Sequence, residues 1–258
     1  MKDTYQSTLD VERKGEDIHD LIEKSDYTRA LEMLEEDDSV ESITLKAEIH
    51  VKMKDYKKAV GLFDEALRIE NNKETLKKKA DALYRWAKIA YFPDNNLYRA
   101  LDLIEEALEI SPENEEYWFL KGEIHQSQEN HIEARRCFLK AENRLEELQV
   151  LEDELHLFEV HKDDVLINIT GVNFYRGIEV FEKGLILTLV RDEANEHDPD
   201  AIACYIDDDI VGYVANSQYT LINDVKGASD IKSSVGEKTE AEVLFIFQNE
   251  FVIARLKN

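Results

Sequence analysis

The sequence contains few of the residues that cross-link, bend or break a chain: two cysteines, three prolines and nine glycines among 258 residues. Cys137 and Cys204 are too few for a disulfide framework or a cysteine-based zinc site. No apolar run approaches the roughly 18 residues that a membrane-spanning helix needs. The first residues, MKDTYQSTLDVERKGED, lack the apolar stretch of a signal peptide. We therefore expect a cytoplasmic protein that makes no contact with a membrane.

Positive charge is also scarce. The chain has 32 lysines and arginines against 57 aspartates and glutamates, a formal net charge of −25. Such a surface repels phosphate backbones, so bulk charge cannot supply a general affinity for nucleic acid. Any contact with nucleic acid has to be local and specific.

The chain divides into two halves of different periodicity. Up to about residue 157, apolar residues recur three and four positions apart, and glycine and proline are almost absent. Beyond about residue 164, short runs rich in Val, Ile, Phe and Tyr predict strands. The runs are VLINITGV, LILTLV, AIACYI, IVGYVA and AEVLFIFQNEFVIARL, the last with a hairpin turn predicted at Asn249-Glu250. We predict an α+β multidomain chain, with a helical domain over residues 1–158 and a β-rich domain over residues 164–258.

The helical half contains internal repeats. The stretch SITLKAEIHVKMKDYKKAVGLFDEAL aligns with EYWFLKGEIHQSQENHIEARRCFLKA. Matching positions hold small residues and one aromatic: Ala47 with Gly122, Ala59 with Ala134, and Phe63 with Phe138. In the stretch between them, Ala100 precedes Ala134 by 134 − 100 = 34 positions. Small residues at such positions let two helices of a hairpin approach closely, and the aromatic fills the space beside them.

This spacing resembles the tetratricopeptide repeat, whose period is about 34 residues. The resemblance implies an α-helical solenoid of about three repeats. A shortened starter hairpin lies around residues 27–30, extra residues in the middle repeat lie near AYFPDNNLY, and a capping helix lies within NRLEELQVLEDELHLFE. An unrelated array of helical hairpins is the alternative.

A solenoid of this kind binds a protein or peptide in the concave groove lined by the first helix of each repeat. The Lys/Asn set with which some family members hold a terminal carboxylate is not evident, so we do not expect a receptor for chaperone tails. Solvated helix surface is the alternative reading of the groove positions. These positions are Thr44, Glu48, Val51, Lys52, Lys77, Asp81, Tyr84, Arg85, Phe119, Glu123 and Gln126.

The β-rich half resembles the HIRAN domain over residues 165 to 256. Three segments carry the resemblance: ITGVNFYRG, LTLVRDEANEHDPDAIACY and DIVGYVA. Their order and spacing are specific, whereas each segment alone is weak. The resemblance implies a small β-barrel related to the OB-fold. It also implies a grip on the free 3′ end of single-stranded DNA.

The resemblance assigns roles to residues of this chain. Terminal bases would stack on Phe174 and His197, and Asp198 would accept a hydrogen bond from the terminal 3′-hydroxyl. A carboxylate accepts from a free hydroxyl but is repelled by an internal phosphate, so it selects ends. The predicted nucleic-acid-binding set is Asn173, Phe174, Tyr175, Asn195, His197 and Asp198.

Local charge argues against DNA binding. Residues 163–258 contain 8 Lys and Arg and 18 Asp and Glu, a net charge of 8 − 18 = −10. Asn173 stands where a basic side chain would help to hold phosphate, and Glu196 lies inside the predicted loop. Backbone electrostatics normally supply most of the affinity for a single strand. Weak or absent DNA binding therefore stays open.

The same residues also have structural interpretations. Asp198-Pro199 is a turn signal, Asn195 can form a similar turn, and Phe174 and Tyr175 can be core and rim of a small barrel. His197 with Asp198 and Asp200 is a weak signal for a divalent ion.

No enzyme signature is present. VGEKTE lacks the first glycine and the spacing of a phosphate-binding loop, and no Ser or Cys nucleophile has an evident His partner. We predict a non-enzymatic adaptor without a cofactor, whose repeats bind a protein and whose barrel engages a DNA 3′ end. The alternative is a protein-only scaffold whose barrel pocket binds a peptide or is vestigial.

Overall fold

A computed structural model describes residues 17–217, 220–222, 225–236 and 239–257. The chain forms two compact units that divide between Leu145 and Glu146. The first unit is helical, and the second contains a closed barrel of six antiparallel strands. The predicted fold class is confirmed, with an α-helical repeat region followed by an OB-like barrel.

The helices of the first unit form consecutive hairpins. Within the described residues of this unit, a short starter hairpin precedes three longer ones, and each hairpin joins two neighbouring helices. The described helices are α1 Ile18–Glu23, α2 Tyr27–Met33, α3 Val40–Lys52, α4 Tyr56–Ile69, α5 Lys73–Tyr91, α6 Leu97–Ile110, α7 Glu115–Ser127 and α8 His131–Ala141.

One turn design recurs in these hairpins. Lys54 adopts a positive φ of 62°, and the next residue, Asp55, caps α4 by accepting a hydrogen bond from the Lys58 amide. Glu129, with a φ of 61°, and Asn130 do the same for α8. A left-handed residue ends the first helix, and the Asp or Asn side chain satisfies an amide at the start of the second. The pairs Ser25-Asp26 and Asn95-Asn96 repeat the design.

The predicted packing positions are buried where the helices of a hairpin meet. Ala47 and Ala59 are fully buried, and Phe63 fills the space beside them. At Gly122, a β-carbon would lie 2.6 Å from the ring of Phe138. These residues therefore set how closely the helices approach.

The middle hairpin departs from its neighbours. Its first helix, α5, has 19 residues, whereas α3 and α7 have 13 each. The predicted extra residues thus lengthen the helix and its turn. Phe92 in this turn and Tyr98 at the start of α6 are 79% and 81% exposed.

Helix α9, Leu145–Val160, belongs to the second compact unit from Glu146 onward. The Phe158 ring lies edge-on against Phe245 and Phe247, at centroid distances of 5.0 and 5.2 Å. The Glu154 carboxylate accepts a hydrogen bond from the Gln248 amide at 3.0 Å. The second unit thus begins before the boundary predicted near residue 160, and the capping role stays a prediction.

The barrel strands coincide with the predicted apolar runs: β1 Leu166–Thr170, β2 Ile186–Arg191, β3 Ile202–Ile206, β4 Asp209–Val214, β5 Thr239–Phe247 and β6 Phe251–Leu256. Their order around the barrel is β1-β4-β3-β2-β5-β6, and β1 closes it by pairing with β6. The hairpin predicted at Asn249-Glu250 is confirmed. Phe247 pairs with Phe251, and Gln248 and Asn249 both adopt positive φ angles.

Close approach of β1 and β4 places the motif residues side by side. Thr170 pairs with Tyr213, and a β-carbon on the neighbouring Gly212 would lie 2.8 Å from the Thr170 carbonyl oxygen. Only glycine fits there without a shift of the backbone. The chain leaving β1 therefore runs close to Tyr213.

Within the described ranges, the helices are too short or too polar to cross a membrane.

Candidate functional site

The first part of the site is the turn that follows β1. Gly171 adopts a positive φ of 74°, and residues Val172–Phe174 form a single 3-10 turn. Val172 is buried and anchors the turn, while Asn173 is exposed. The Phe174 ring is 91% exposed, although its amide donates to the Gly171 carbonyl at 2.9 Å. A large aromatic ring on an ordered turn is thus presented to solvent, where a ligand can stack on it.

An aromatic pair stands beside this turn. The Tyr175 and Tyr213 rings lie 6.2 Å apart between centroids. The Tyr213 hydroxyl donates to the Asp192 carboxylate at 2.9 Å. Burial, and then this hydrogen bond, raises the pKa of Tyr213. The phenol therefore keeps its proton and serves as a permanent donor to Asp192.

The second part is the loop between β2 and β3, which Asn195 organises. Its Oδ1 accepts from the amides of His197 and Asp198, both at 3.0 Å. Its Nδ2 donates to the same Asp192 carboxylate oxygen, Oδ2, at 3.2 Å. The structure thus shows Asn195 holding the loop in shape, as a turn-forming Asx residue does. Its direct contact with a ligand stays a prediction.

Asp198 is likewise engaged within the protein. Its Oδ1 accepts from the Asp200 amide at 2.8 Å, and its Oδ2 accepts from the Asn216 side chain at 2.9 Å. Lys232 ties the same loop down through the Pro199 carbonyl and the Asp200 carboxylate. The His197 side chain is exposed beside these anchored residues.

The structure therefore joins the turn and the loop into one connected site. Tyr175 contacts Tyr213, Tyr213 binds Asp192, and Asp192 binds Asn195, which shapes the loop that carries His197. The exposed members of the predicted set are Asn173, Phe174, Tyr175 and His197, and the partly buried members are Asn195 and Asp198.

Four residues of this network were absent from the predicted site: Asp192, Tyr213, Asn216 and Lys232. Tyr213 lies within the segment DIVGYVA and Asp192 within LTLVRDEANEHDPDAIACY, so the sequence could have indicated both as site residues. Asn216 and Lys232 lie 18 and 32 positions from their partners in the loop. No local pattern points to contacts of that separation.

The surroundings of the site are acidic, and two of its cations are paired, whereas the buried Arg191 Nε has no hydrogen-bond partner among the described residues. Arg176 contacts Asp209 at 3.3 Å, and Lys232 contacts Asp200 at 2.8 Å. In the part of the chain that the structure describes, no group of three His, Cys, Asp or Glu side chains is placed to hold a metal ion. The divalent ion considered for His197, Asp198 and Asp200 therefore has no cluster of ligands among the described residues.

The helical unit has its own cavity, of about 500 Å³, along helices α3, α5 and α7. Six predicted groove residues line it: Glu48, Val51, Lys52, Lys77, Asp81 and Arg85. Phe63, Asn114, Glu116 and Tyr117 line it as well. Six of the predicted groove residues thus line one concave surface, and their contact with a partner stays a prediction.

The other predicted groove residues lie around this cavity. Thr44 lines a neighbouring cavity of about 580 Å³, and Phe119 and Gln126 line a third of about 420 Å³. Tyr84 packs on Tyr117, with ring centroids 4.9 Å apart. Glu123 is half-buried on α7.

Ion pairs in the central cavity leave two lysines and one carboxylate, Glu116, without an ion pair among the described residues. Lys78 contacts both Glu48 and Glu74, and Arg85 contacts Asp81 at 2.7 Å. Among the described residues, Lys52 and Lys77 form no ion pair. Both are exposed, so they are available to a bound acidic group.

Comparison with known protein families supports the assignments of both halves of the chain. The HIRAN domain model matches residues 162–224, and the tetratricopeptide repeat model matches residues 40–73 and 115–144. The middle hairpin with the long α5 lies between the two matched repeats. No curated protein matches the chain.

Solved structures of MamA are similar to part of the chain. "MamA MSR-1 C2" is 21% identical, covers 50% of this chain and 72% of that chain, and has a TM-score of 0.35. "Crystal structure of MamA" is 17% identical, covers 55% of this chain and 85% of that chain, and has a TM-score of 0.36.

Tetratricopeptide repeats indicate protein interaction, and a HIRAN domain indicates DNA binding. The chain carries tetratricopeptide repeats followed, in that order, by a HIRAN domain.

Proposed function

We propose that the protein is a non-enzymatic adaptor. Its repeats bind a segment of a partner protein, and its barrel binds the free 3′ end of single-stranded DNA. The observation that supports DNA binding is the Phe174 ring, which is 91% exposed on an ordered turn. That turn is connected through Tyr213 and Asp192 to the loop of His197 and Asp198.

Each part of the site has a distinct role in this proposal. Phe174 and His197 offer faces to the terminal bases, and stacking on an aromatic contributes about 1–3 kcal/mol per base whatever the sequence. Asp198 accepts a hydrogen bond from the 3′-hydroxyl. Each of its oxygens already accepts one hydrogen bond, and a carboxylate oxygen has room for a second.

The acidity of the domain limits this binding to modest affinity. Arg176 and Lys232 are engaged by Asp209 and Asp200, so these two cations release few counterions when a strand binds. Affinity then comes from stacking and the end contact. We expect dissociation constants in the micromolar range or weaker, and the tightest binding at low salt.

The test compares two labelled oligothymidines that differ only at the 3′ end, one with a hydroxyl and one with a phosphate. The full chain is titrated at about 50 mM salt, where its few cationic contacts count most. We expect tighter binding of the free hydroxyl, because the phosphate removes the donor to Asp198 and adds a like charge. Equal binding of the two strands contradicts an end-grip.

A protein-only scaffold is the second candidate, and a specific observation favours it. Arg176 and Lys232, which could contact phosphate, are neutralised by Asp209 and Asp200. In this case the barrel pocket takes a peptide or no ligand. Absence of measurable binding to either oligonucleotide, at low salt and high protein concentration, selects this candidate.

The groove proposal is that the repeats take an extended segment carrying an acidic side chain. Lys52 and Lys77 reach the central cavity without an ion pair among the described residues, while its apolar floor includes Val51, Phe63 and Tyr117. The segment's carboxylate lies between the two lysines, and a neighbouring apolar side chain lies on that floor. In a chain of net charge −25, a site for an acidic segment needs such local cations.

An array of extended peptides tests the groove, each acidic peptide being paired with its Gln and Asn counterpart. We expect the acidic member of a pair to bind better, and Lys52→Glu with Lys77→Glu to remove that preference. Lys57→Glu, the same charge change at an exposed position of α4 outside the cavity, is the matched control. A preference that survives the Lys52 and Lys77 changes contradicts the proposal.

A further inference from the structure

Asn216 fixes one side of the Asp198 carboxylate. It follows β4, 18 positions after Asp198, and its Nδ2 donates to Asp198 Oδ2 at 2.9 Å. The Asp200 amide donates to the other oxygen at 2.8 Å. With one donor on each oxygen, the carboxylate is held against rotation about its terminal torsion, which is otherwise soft.

Asn216 is itself held, and its orientation is defined. Its Oδ1 accepts a hydrogen bond from the Ser229 amide at 2.9 Å. An amide donor can only face the oxygen, so Nδ2 must be the atom that faces Asp198. The neighbouring backbone is fixed too, because the Ala215 amide donates to the Asn168 carbonyl at 2.9 Å and the Ala215 carbonyl accepts from Ala228 at 3.0 Å.

We infer that Asn216 is the positioning residue that gives the site its selectivity for a free 3′-hydroxyl. This inference rests on the proposed end-binding function. Asn216 saturates one acceptor position of Oδ2 and leaves the other positions of the carboxylate in a fixed direction. A ligand hydroxyl meets an acceptor already aimed at it, so little rotational freedom is lost on binding.

A second anchor of the same loop provides a matched control. Lys232 binds the Pro199 carbonyl and, at 2.8 Å, the Asp200 carboxylate. It thus restrains the loop without donating to Asp198. If general stiffness of the loop is what matters, removing Lys232 and removing Asn216 have the same effect on end selectivity. If the carboxylate must be aimed, the Asn216 change has the larger effect.

The test measures selectivity, defined as the dissociation constant of the 3′-phosphate strand divided by that of the 3′-hydroxyl strand. The full chain is used, with the native residue, Asn216→Ala, Asn216→Leu and Lys232→Gln. Asn216→Leu keeps nearly the same shape and adds no charge, but it offers Asp198 no donor. It keeps the test decisive if Asn216→Ala does not fold.

We expect native selectivity to fall at least about threefold in both Asn216 variants, since a hydrogen bond to a charged group is lost. Lys232→Gln, which removes a tie of the loop but no donor to Asp198, changes the ratio by less than either Asn216 change. The melting temperature of each variant shows whether lost selectivity comes from unfolding or from a misoriented Asp198 carboxylate.

The other outcomes overturn the inference in different ways. If both Asn216 variants retain the native selectivity, Asn216 has no positioning role, and the proposed end-binding function is unaffected. Selectivity lost equally in Lys232→Gln assigns the effect to loop stiffness. A native chain that binds both strands equally, or neither, overturns the proposed function and this inference together.

Discussion

The Tyr213 hydroxyl and the Asp192 carboxylate are joined by a hydrogen bond of 2.9 Å. The two residues lie 21 positions apart, and Asp192 Oδ2 also accepts from Asn195. This bond connects the aromatic turn after β1 to the polar loop after β2. Without it, the two predicted halves of the site have no link through these side chains.

Tyr213→Phe removes that link while keeping the ring that contacts Tyr175. We expect a loss of about 0.5–1.5 kcal/mol in the free energy of unfolding, because Asp192 keeps its bond from Asn195. Affinity for the 3′-hydroxyl strand falls by more than the stability change accounts for, since loop and turn no longer hold a fixed distance. Urea unfolding and oligonucleotide titration measure the two effects. An unchanged affinity shows that the two parts of the site act separately.

Phe174→Ala tests the stacking surface directly. We expect binding of single-stranded DNA to weaken by about 1–3 kcal/mol, the contribution of one base stacked on an aromatic. Folding should be unaffected, because the ring is 91% exposed. Phe92→Ala is the control, since Phe92 is 79% exposed in the helical unit. Equal effects of the two changes mean that the exposed ring at Phe174 has no special role.

Two glycines in helices give a matched pair for the repeat packing. A β-carbon at Gly122 would lie 2.6 Å from the Phe138 ring, whereas nothing lies within 4 Å of one at Gly61. Gly122→Ala should destabilise the helical unit by about 1–3 kcal/mol through overpacking. Gly61→Ala should stabilise it by about 0.5–1 kcal/mol through helix propensity. Thermal unfolding measures both, and the same sign for both contradicts the packing.

Helix α9 should stabilise the barrel. Phe158 contacts Phe245 and Phe247, so Phe158→Ala should cost about 1–3 kcal/mol of barrel stability. Val160→Ala, at a position 59% exposed, is the control. A fragment of residues 146–258 should accordingly melt at a higher temperature than one of residues 163–258. Equal melting temperatures would falsify this role of the helix.

Two buried histidines predict a loss of stability of the helical unit in mild acid. Burial lowers the pKa of His50 and of His125 below the ordinary value of 6.5. Lys58 and Asp55 act on His50, and Lys121, Glu133 and Glu105 act on His125. The unfolded chain takes up protons first as the pH falls, so this stability is complete above 6.5 and is lost as the pH falls through the folded-state pKa.

The measurement is the melting temperature between about pH 7.5 and 5, for the native chain and for His50→Gln with His125→Gln. The double variant should show a shallower fall than the native chain. His131→Gln, at an exposed position, should follow the native curve. A native curve no steeper than that of the double variant contradicts the prediction.

The sequence alone determined what depends on local periodicity. Repeated small residues such as Ala47 and Gly122 predicted the helical hairpins, because helix packing needs them at fixed spacing. Short runs rich in Val, Ile, Phe and Tyr predicted the six strands of the described residues, and Asn249-Glu250 predicted the last hairpin turn. The residue types of Asn195 and Asp198 also indicated a turn, and their hydrogen bonds form one. These features are short in range, so residue type and spacing are sufficient.

Only the tertiary structure decided which distant groups complete the site and which unit receives helix α9. Asn216 and Lys232 reach the loop because the barrel closes with one particular strand order and register. The sequence predicted helix α9 as the cap of the solenoid, whereas the contacts of Phe158 place it with the barrel. Such contacts depend on how far-separated segments meet, which periodicity along the chain does not encode.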